Sequence, residues 1–177
     1  MKKAVTLGAL ALLLGLGGAV WAQDVKHAPL DSQEQAFLRQ RAQDDVFMWR
    51  LGEYAAQHGG SQRVKQLGED IVKERRTDLR DIERVAADHG ADIKQPARLT
   101  AQQRAVYDQL ASQNTTLFDR GYTKAVMQHY STEIPQLERE RDHALNVDIR
   151  EYAQKNLPMF QDHQKQARDA EKEAWGS

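Results

Sequence analysis

This chain of 177 residues has six histidines, 26 acidic side chains and no cysteine, so any reactive or metal-binding centre must be built from imidazoles and carboxylates. His129 and His163 stand out because each falls on the apolar stripe of its own helical segment, and Glu133 follows His129 by one turn. A His/Glu pair on one helix with an imidazole from another suits a transition metal such as iron, zinc or manganese. Spacing alone favours a plainer reading, in which both histidines are core residues satisfied by hydrogen bonds and Glu133 lies at the edge. Glu140 and His143 have the Glu-x-x-His spacing of di-iron carboxylate bundles. They lie in a run of alternating acids and bases, and no second copy accompanies them. His58 and His89 fall at the C-terminal ends of helical segments, where an imidazolium complements the helix dipole, and His27 lies in a polar leader. No serine is arranged as a nucleophile and no glycine-rich phosphate loop opens a helix. The expectation is a protein without a catalytic residue or cofactor, the alternative being a metal held by His129, His163 and Glu133.

These residues have to be positioned by helices, since Ala, Leu, Glu, Gln, Arg and Lys dominate and proline is sparse. A first helix is predicted over residues 31–58, with Phe37, Leu38, Phe47, Met48, Leu51, Tyr54 and Ala55 at helical spacing and Gly59-Gly60 as its stop. Ser61 caps a second, whose stripe runs Val64, Leu67, Ile71, then a charged interruption, then Ile82, Val85 and Ala86, up to Gly90. Residues 91–99 connect to a short helix opened by the capping box of Thr100 and Gln103. Asn114 starts a longer helix with Phe118, Tyr122, Val126, His129 and Leu137 on one face, and Asn146 caps the last, with Ile149, Tyr152, Leu157, Phe160, His163 and Ala167. Four long amphipathic helices with mostly short connections predict an all-α, antiparallel four-helix bundle, with a short extra helix before the third long one. Pro135 and Pro158 both fall about 8–9 Å of helix from the histidine layer, where paired kinks would open the bundle beside it.

The first 22 residues read as a cleavable secretory signal: Met1-Lys2-Lys3, an apolar run over residues 4–20, and Val20-Trp21-Ala22 as the cleavage site. About 17 apolar residues is short for a membrane span. Residues 23–30 read as a polar leader and residues 31–174 as one helical domain. Cleavage removes Lys2 and Lys3 from 25 basic residues against 26 acidic ones, leaving a formal charge of −3 and no basic surplus for nucleic acid. Without cysteine there is neither a disulfide nor a lipid-attachment site. The expectation is a Sec-exported periplasmic protein, associated with the envelope only through an unknown protein or envelope partner, with no transmembrane anchor in the mature chain.

Leu51-Gly52 followed by Ala55, Val64-Lys65, Phe118-Asp119-Arg120-Gly121-Tyr122, His129, and Leu157-Pro158 with His163 together carry a resemblance. Over roughly residues 31–172 the chain resembles the exported bacterial family known as domain of unknown function 4142. That resemblance implies a ferritin-like fold and no assigned reaction. The family pattern places a glutamate in the first helix, a histidine in the second and one histidine in each of the two later long helices, implying a metal centre inside the bundle. Here the glutamate position falls on Met48 and the second-helix histidine on Arg75, while His129 and His163 are kept. A guanidinium stays protonated and cannot ligate a metal. A buried Arg75 would need acidic partners, for which Glu133 and Asp45 are the candidates, so the expectation is an ion-pair cluster around Arg75, His129 and His163.

Overall fold

The apolar stripes are gathered by five helices: α1 (Ser32–His58), α2 (Gln62–Asp88), α3 (Ala101–Ala111), α4 (Thr115–His143) and α5 (Val147–Gly176). The computed structural model describes residues 28–176, among which there is no strand. The expected signal segment and the leader up to His27 lie outside the described residues.

The helix starts follow from the side chains ahead of them. Asp31 accepts from the backbone N–H groups of Gln33 and Glu34, and Glu34 returns a bond to Asp31 N, which makes a capping box. Glu34 also accepts from Asn146 N at 2.8 Å, so the start of α1 is tied to the start of α5 and this carboxylate is buried. Ser61 caps α2, Thr100 and Gln103 box the start of α3, and Asn114 caps α4. Asn146 Oδ1 accepts from Asp148 N at 2.8 Å as α5 begins. Gly90, at φ +70°, follows the last turn of α2 in the left-handed conformation that favours glycine.

α1 packs along α2, and α4 along α5. α2 also packs on α5, α1 touches α4 more lightly, and α3 lies against α1 and α4. The α1–α2 contact is close at Gly52 and Gly68: a Cβ on Gly68 would stand 2.6 Å from the Gly52 carbonyl oxygen. The core holds Leu38, Val46, Met48, Leu51, Val64, Leu67, Ile71, Ile82, Phe118, Tyr122, Val126, Tyr130, Ile149 and Phe160, each at 2% exposure or less. Burying one large apolar side chain contributes about 1.5–3 kcal/mol. No helix among the described residues is long and apolar enough to cross a membrane.

Four expectations change. The charged interruption of α2 is no interruption, because Arg75 and Asp78 continue the buried stripe between Ile71 and Ile82. On α4 the fully buried position is Tyr130, four residues after Val126, whereas the His129 side chain is partly exposed. His89 does cap the end of α2, but its side chain does more than complement the helix dipole. Its ring is buried, with Nδ1 2.6 Å from the Ala28 carbonyl oxygen and Nε2 2.8 Å from Asp148 Oδ2, so it joins the end of α2 to the leader and to α5. Pro135 and Pro158 sit on exposed faces of uninterrupted helices.

Candidate functional site

All four long helices send polar or ionisable side chains into one buried layer. α1 contributes Arg41 and Asp45, α2 Arg75 and Asp78, α4 Tyr130 and Glu133, and α5 Phe160 and His163, none more than 3% exposed. Each helix places two of these three or four residues apart, the spacing that keeps both on one face.

Two guanidinium groups lie at the centre. Arg75 donates through Nη1 to Asp45 Oδ1 (2.9 Å) and Asp78 Oδ2 (3.3 Å), and through Nη2 to the Tyr130 hydroxyl (2.9 Å). Arg41 donates through Nη2 to the same two carboxylate oxygens, at 2.8 and 3.1 Å, and through Nη1 to Glu133 Oε1. Both lie over the Phe160 ring, with Cζ 3.9 Å (Arg75) and 4.6 Å (Arg41) from its centroid.

Two guanidinium charges therefore meet three carboxyl groups. Burial disfavours the charged form of Asp45, the Asp78 carboxylate disfavours it further, and the two arginines only partly offset this, so its pKa lies well above the usual carboxylate range. Asp45 Oδ2 and Asp78 Oδ1 are buried without a hydrogen-bond donor. Burial would also raise Glu133, but Arg41 and then His129 more than reverse it and hold this carboxyl at about 2. Burial pushes Tyr130 up to about 12 despite the opposing charge of Arg75.

From Arg75 a hydrogen-bond chain leads outward. The Tyr130 oxygen accepts from Arg75, so its own proton is free to donate to His163 Nδ1 at 2.8 Å. The other nitrogen, Nε2, faces Glu74 Oε2 at 2.9 Å, and the Glu74 side chain is about a third exposed. His129 takes a separate route, with Nε2 2.8 Å from Glu133 Oε2 but off the line of a good hydrogen bond.

The positions singled out in the sequence thus divide. Arg75 is buried and pairs with Asp45, one of its two candidate partners, while Glu133 pairs with Arg41. Met48 is apolar core. His129 and His163 face different carboxylates, and among the described residues no three His, Asp or Glu side chains converge on a metal position. Sequence reasoning missed Arg41, Asp78 and Tyr130. The available signal was their register, since Leu38–Arg41–Asp45–Met48 and Ile71–Arg75–Asp78–Ile82 are unbroken helical stripes once charged residues are admitted to them.

The profile of the family described as Domain of unknown function (DUF4142) matches residues 21–170. The chain belongs to that family. Its segment Phe118–Tyr122 has a structural reason in this member: Asp119 accepts from the backbone N–H groups of Gly60 and Ser61, both at 2.8 Å, and so fixes the α1–α2 turn against α4. Among solved structures, this DUF4142 chain is similar to a DUF305 fragment from Deinococcus radiodurans, with a TM-score of 0.71 and 14% identity over 82% of this chain and 99% of that one. At that identity the likeness concerns the fold. Comparison with curated proteins gave no match.

Proposed function

We propose that this DUF4142 member is an exported, non-enzymatic protein with the architecture of an antiparallel, ferritin-like four-helix bundle, in which an ion-pair network has replaced a metal centre and whose role is binding. The observation that carries this reading is Arg75 at the middle of the bundle, bonded to Asp45, Asp78 and Tyr130. A second cation, Arg41, occupies Glu133 Oε1, the carboxylate best placed to complete a site with His129. Two fixed positive charges repel a metal ion, and the carboxylates that would attract one are already neutralised. The donor set does not fit a metal. The basic start, apolar run and cleavage motif of residues 1–22 support export to the periplasm.

The test is elemental analysis of the mature protein purified without chelator or affinity tag. Less than a tenth of an equivalent of any transition metal is expected. Stoichiometric metal that is lost on His129→Ala would overturn the reading and install the alternative, a metal-binding or oxidoreductase protein using His129, His163 and Glu133.

A further inference from the structure

Away from the ionic layer, the outer side of α1 and the start of α3 enclose a cavity of about 320 Å³, with Arg50, Glu53, Tyr54, Leu99, Arg104 and Tyr107 in its lining. That volume is at the small end of the range for small-molecule sites, roughly 300–1,000 Å³. Arg50 Nη2 donates to the Ala97 carbonyl oxygen at 3.0 Å, which fixes the guanidinium against the 91–99 connection while using one N–H of the group. Arg104 stands 3.8 Å from Asp108, beyond hydrogen-bond length, and Asp108 is not a lining residue. The acid in the lining, Glu53, is paired, since Arg76 donates to its Oε1 at 2.8 Å. The cavity therefore keeps a cationic surplus although the chain as a whole is slightly acidic. Its aromatic wall is held in place: the Tyr54 hydroxyl donates to the Ala111 carbonyl oxygen at 2.9 Å, and the Tyr54 and Tyr107 rings meet edge to face with centroids 5.9 Å apart.

We infer that this cavity binds a small aromatic carboxylate, its carboxylate held between Arg50 and Arg104 and its ring lying against Tyr54, Tyr107 and Leu99. The planar guanidinium fork matches a carboxylate, and a charge-assisted bond from it is stronger than one from a neutral donor. A cationic ligand meets two arginines and a glutamate that Arg76 already occupies. A metal ion finds no trio of converging donors among the described residues. An inorganic anion leaves the aromatic and leucine wall unused. Burial and then the neighbouring Tyr54 push the Tyr107 phenol above its ordinary value, so at neutral pH it faces the ligand as a proton donor and not as a second negative charge. This inference rests on reading the chain as a binding protein.

Titrating the mature protein with benzoate and with its uncharged isostere benzamide, by calorimetry and NMR, tests it. Benzoate is expected to bind and to shift the Leu99 methyl resonances through its ring current, and benzamide to bind at least tenfold more weakly. Arg104→Gln, at an exposed position, should weaken benzoate by roughly ten- to a hundredfold, the scale of one charge-assisted hydrogen bond, and leave benzamide unchanged. Arg50→Gln should act in the same direction. No benzoate binding, equal binding of benzoate and benzamide, or benzoate affinity unchanged in both variants would overturn the proposal. So would sulfate binding as tightly as benzoate, because the aromatic wall would then contribute nothing. The metal content of the same preparation reports separately on the preceding reading.

Discussion

Replacing Arg75 by methionine removes a charge from the centre of the network with little change in side-chain length. The native guanidinium makes three hydrogen bonds, to Asp45, Asp78 and Tyr130, and lies 3.9 Å over the Phe160 ring. A buried ion pair is not strongly stabilising relative to a well-packed apolar core, but removing one partner strands the other, at a typical cost of about 3–5 kcal/mol. Here Arg41 still reaches Asp45 Oδ1 and Asp78 Oδ2, at 2.8 and 3.1 Å. That places the expected loss at the lower end, about 3 kcal/mol, against a total stability of roughly 5–15 kcal/mol. For a chain of this size it corresponds to a fall in Tm of about 6–12 °C. Urea unfolding followed by circular dichroism should show a lower midpoint with an unchanged slope. Adding Asp78→Asn should return about 1 kcal/mol or more, because the carboxylate that lost its Arg75 partner is then neutral. A loss below about 1 kcal/mol for Arg75→Met alone, or no recovery in the double variant, would refute the reasoning.

Acid unfolding should report on Glu133, whose folded pKa of about 2 lies below the ordinary value of 4.5. A depressed carboxyl contributes stability that is complete above its unfolded pKa and is lost as pH falls through the folded one, here about 3 kcal/mol between roughly pH 4.5 and 2. Glu133→Gln should flatten the stability profile over that window, and an unchanged profile would count against the Arg41 pairing. Asp45 acts in the opposite sense: its raised pKa favours the protonated folded state, so Asp45→Asn should weaken the loss of stability on raising the pH through its folded value. Tyr130→Phe deprives Arg75 of an acceptor and His163 Nδ1 of a donor, both buried, for an expected cost of about 1–3 kcal/mol by denaturant unfolding. Gly68→Ala sets a Cβ 2.6 Å from the Gly52 carbonyl oxygen and 2.8 Å from Ala56 N, both backbone atoms, so a loss of about 1–3 kcal/mol from overpacking is expected in the same assay.

The sequence by itself determined the five helices almost to their ends, because caps and breaks are local chemistry. Thr100, Asn114 and Asn146 each bond the turn that follows them, and Gly90 takes the left-handed backbone that ends α2. It also determined most of the apolar core and the presence of an arginine where a ligand was expected. It did not reveal how the charged residues on the stripes would be used. Periodicity alone made Arg75 and Asp78 a charged interruption, the family resemblance pointed to a buried Arg75 with Asp45 or Glu133 as partner, and nothing singled out Arg41 or Asp78, because one helix cannot show whether a charge will meet an opposite charge or water. Only the packing of α1 and α2 beside α4 and α5 brought two arginines to the same two aspartate oxygens, with Glu133 and Tyr130 closing the layer. The same packing separated His129 from His163, giving one to Glu133 and the other to Tyr130 and Glu74. Helical spacing fixes the face on which a side chain lies, whereas its partner is fixed by rotation and offset between helices, and these depend on contacts between residues distant in the chain, such as Gly52 with Gly68 and Asp119 with the α1–α2 turn.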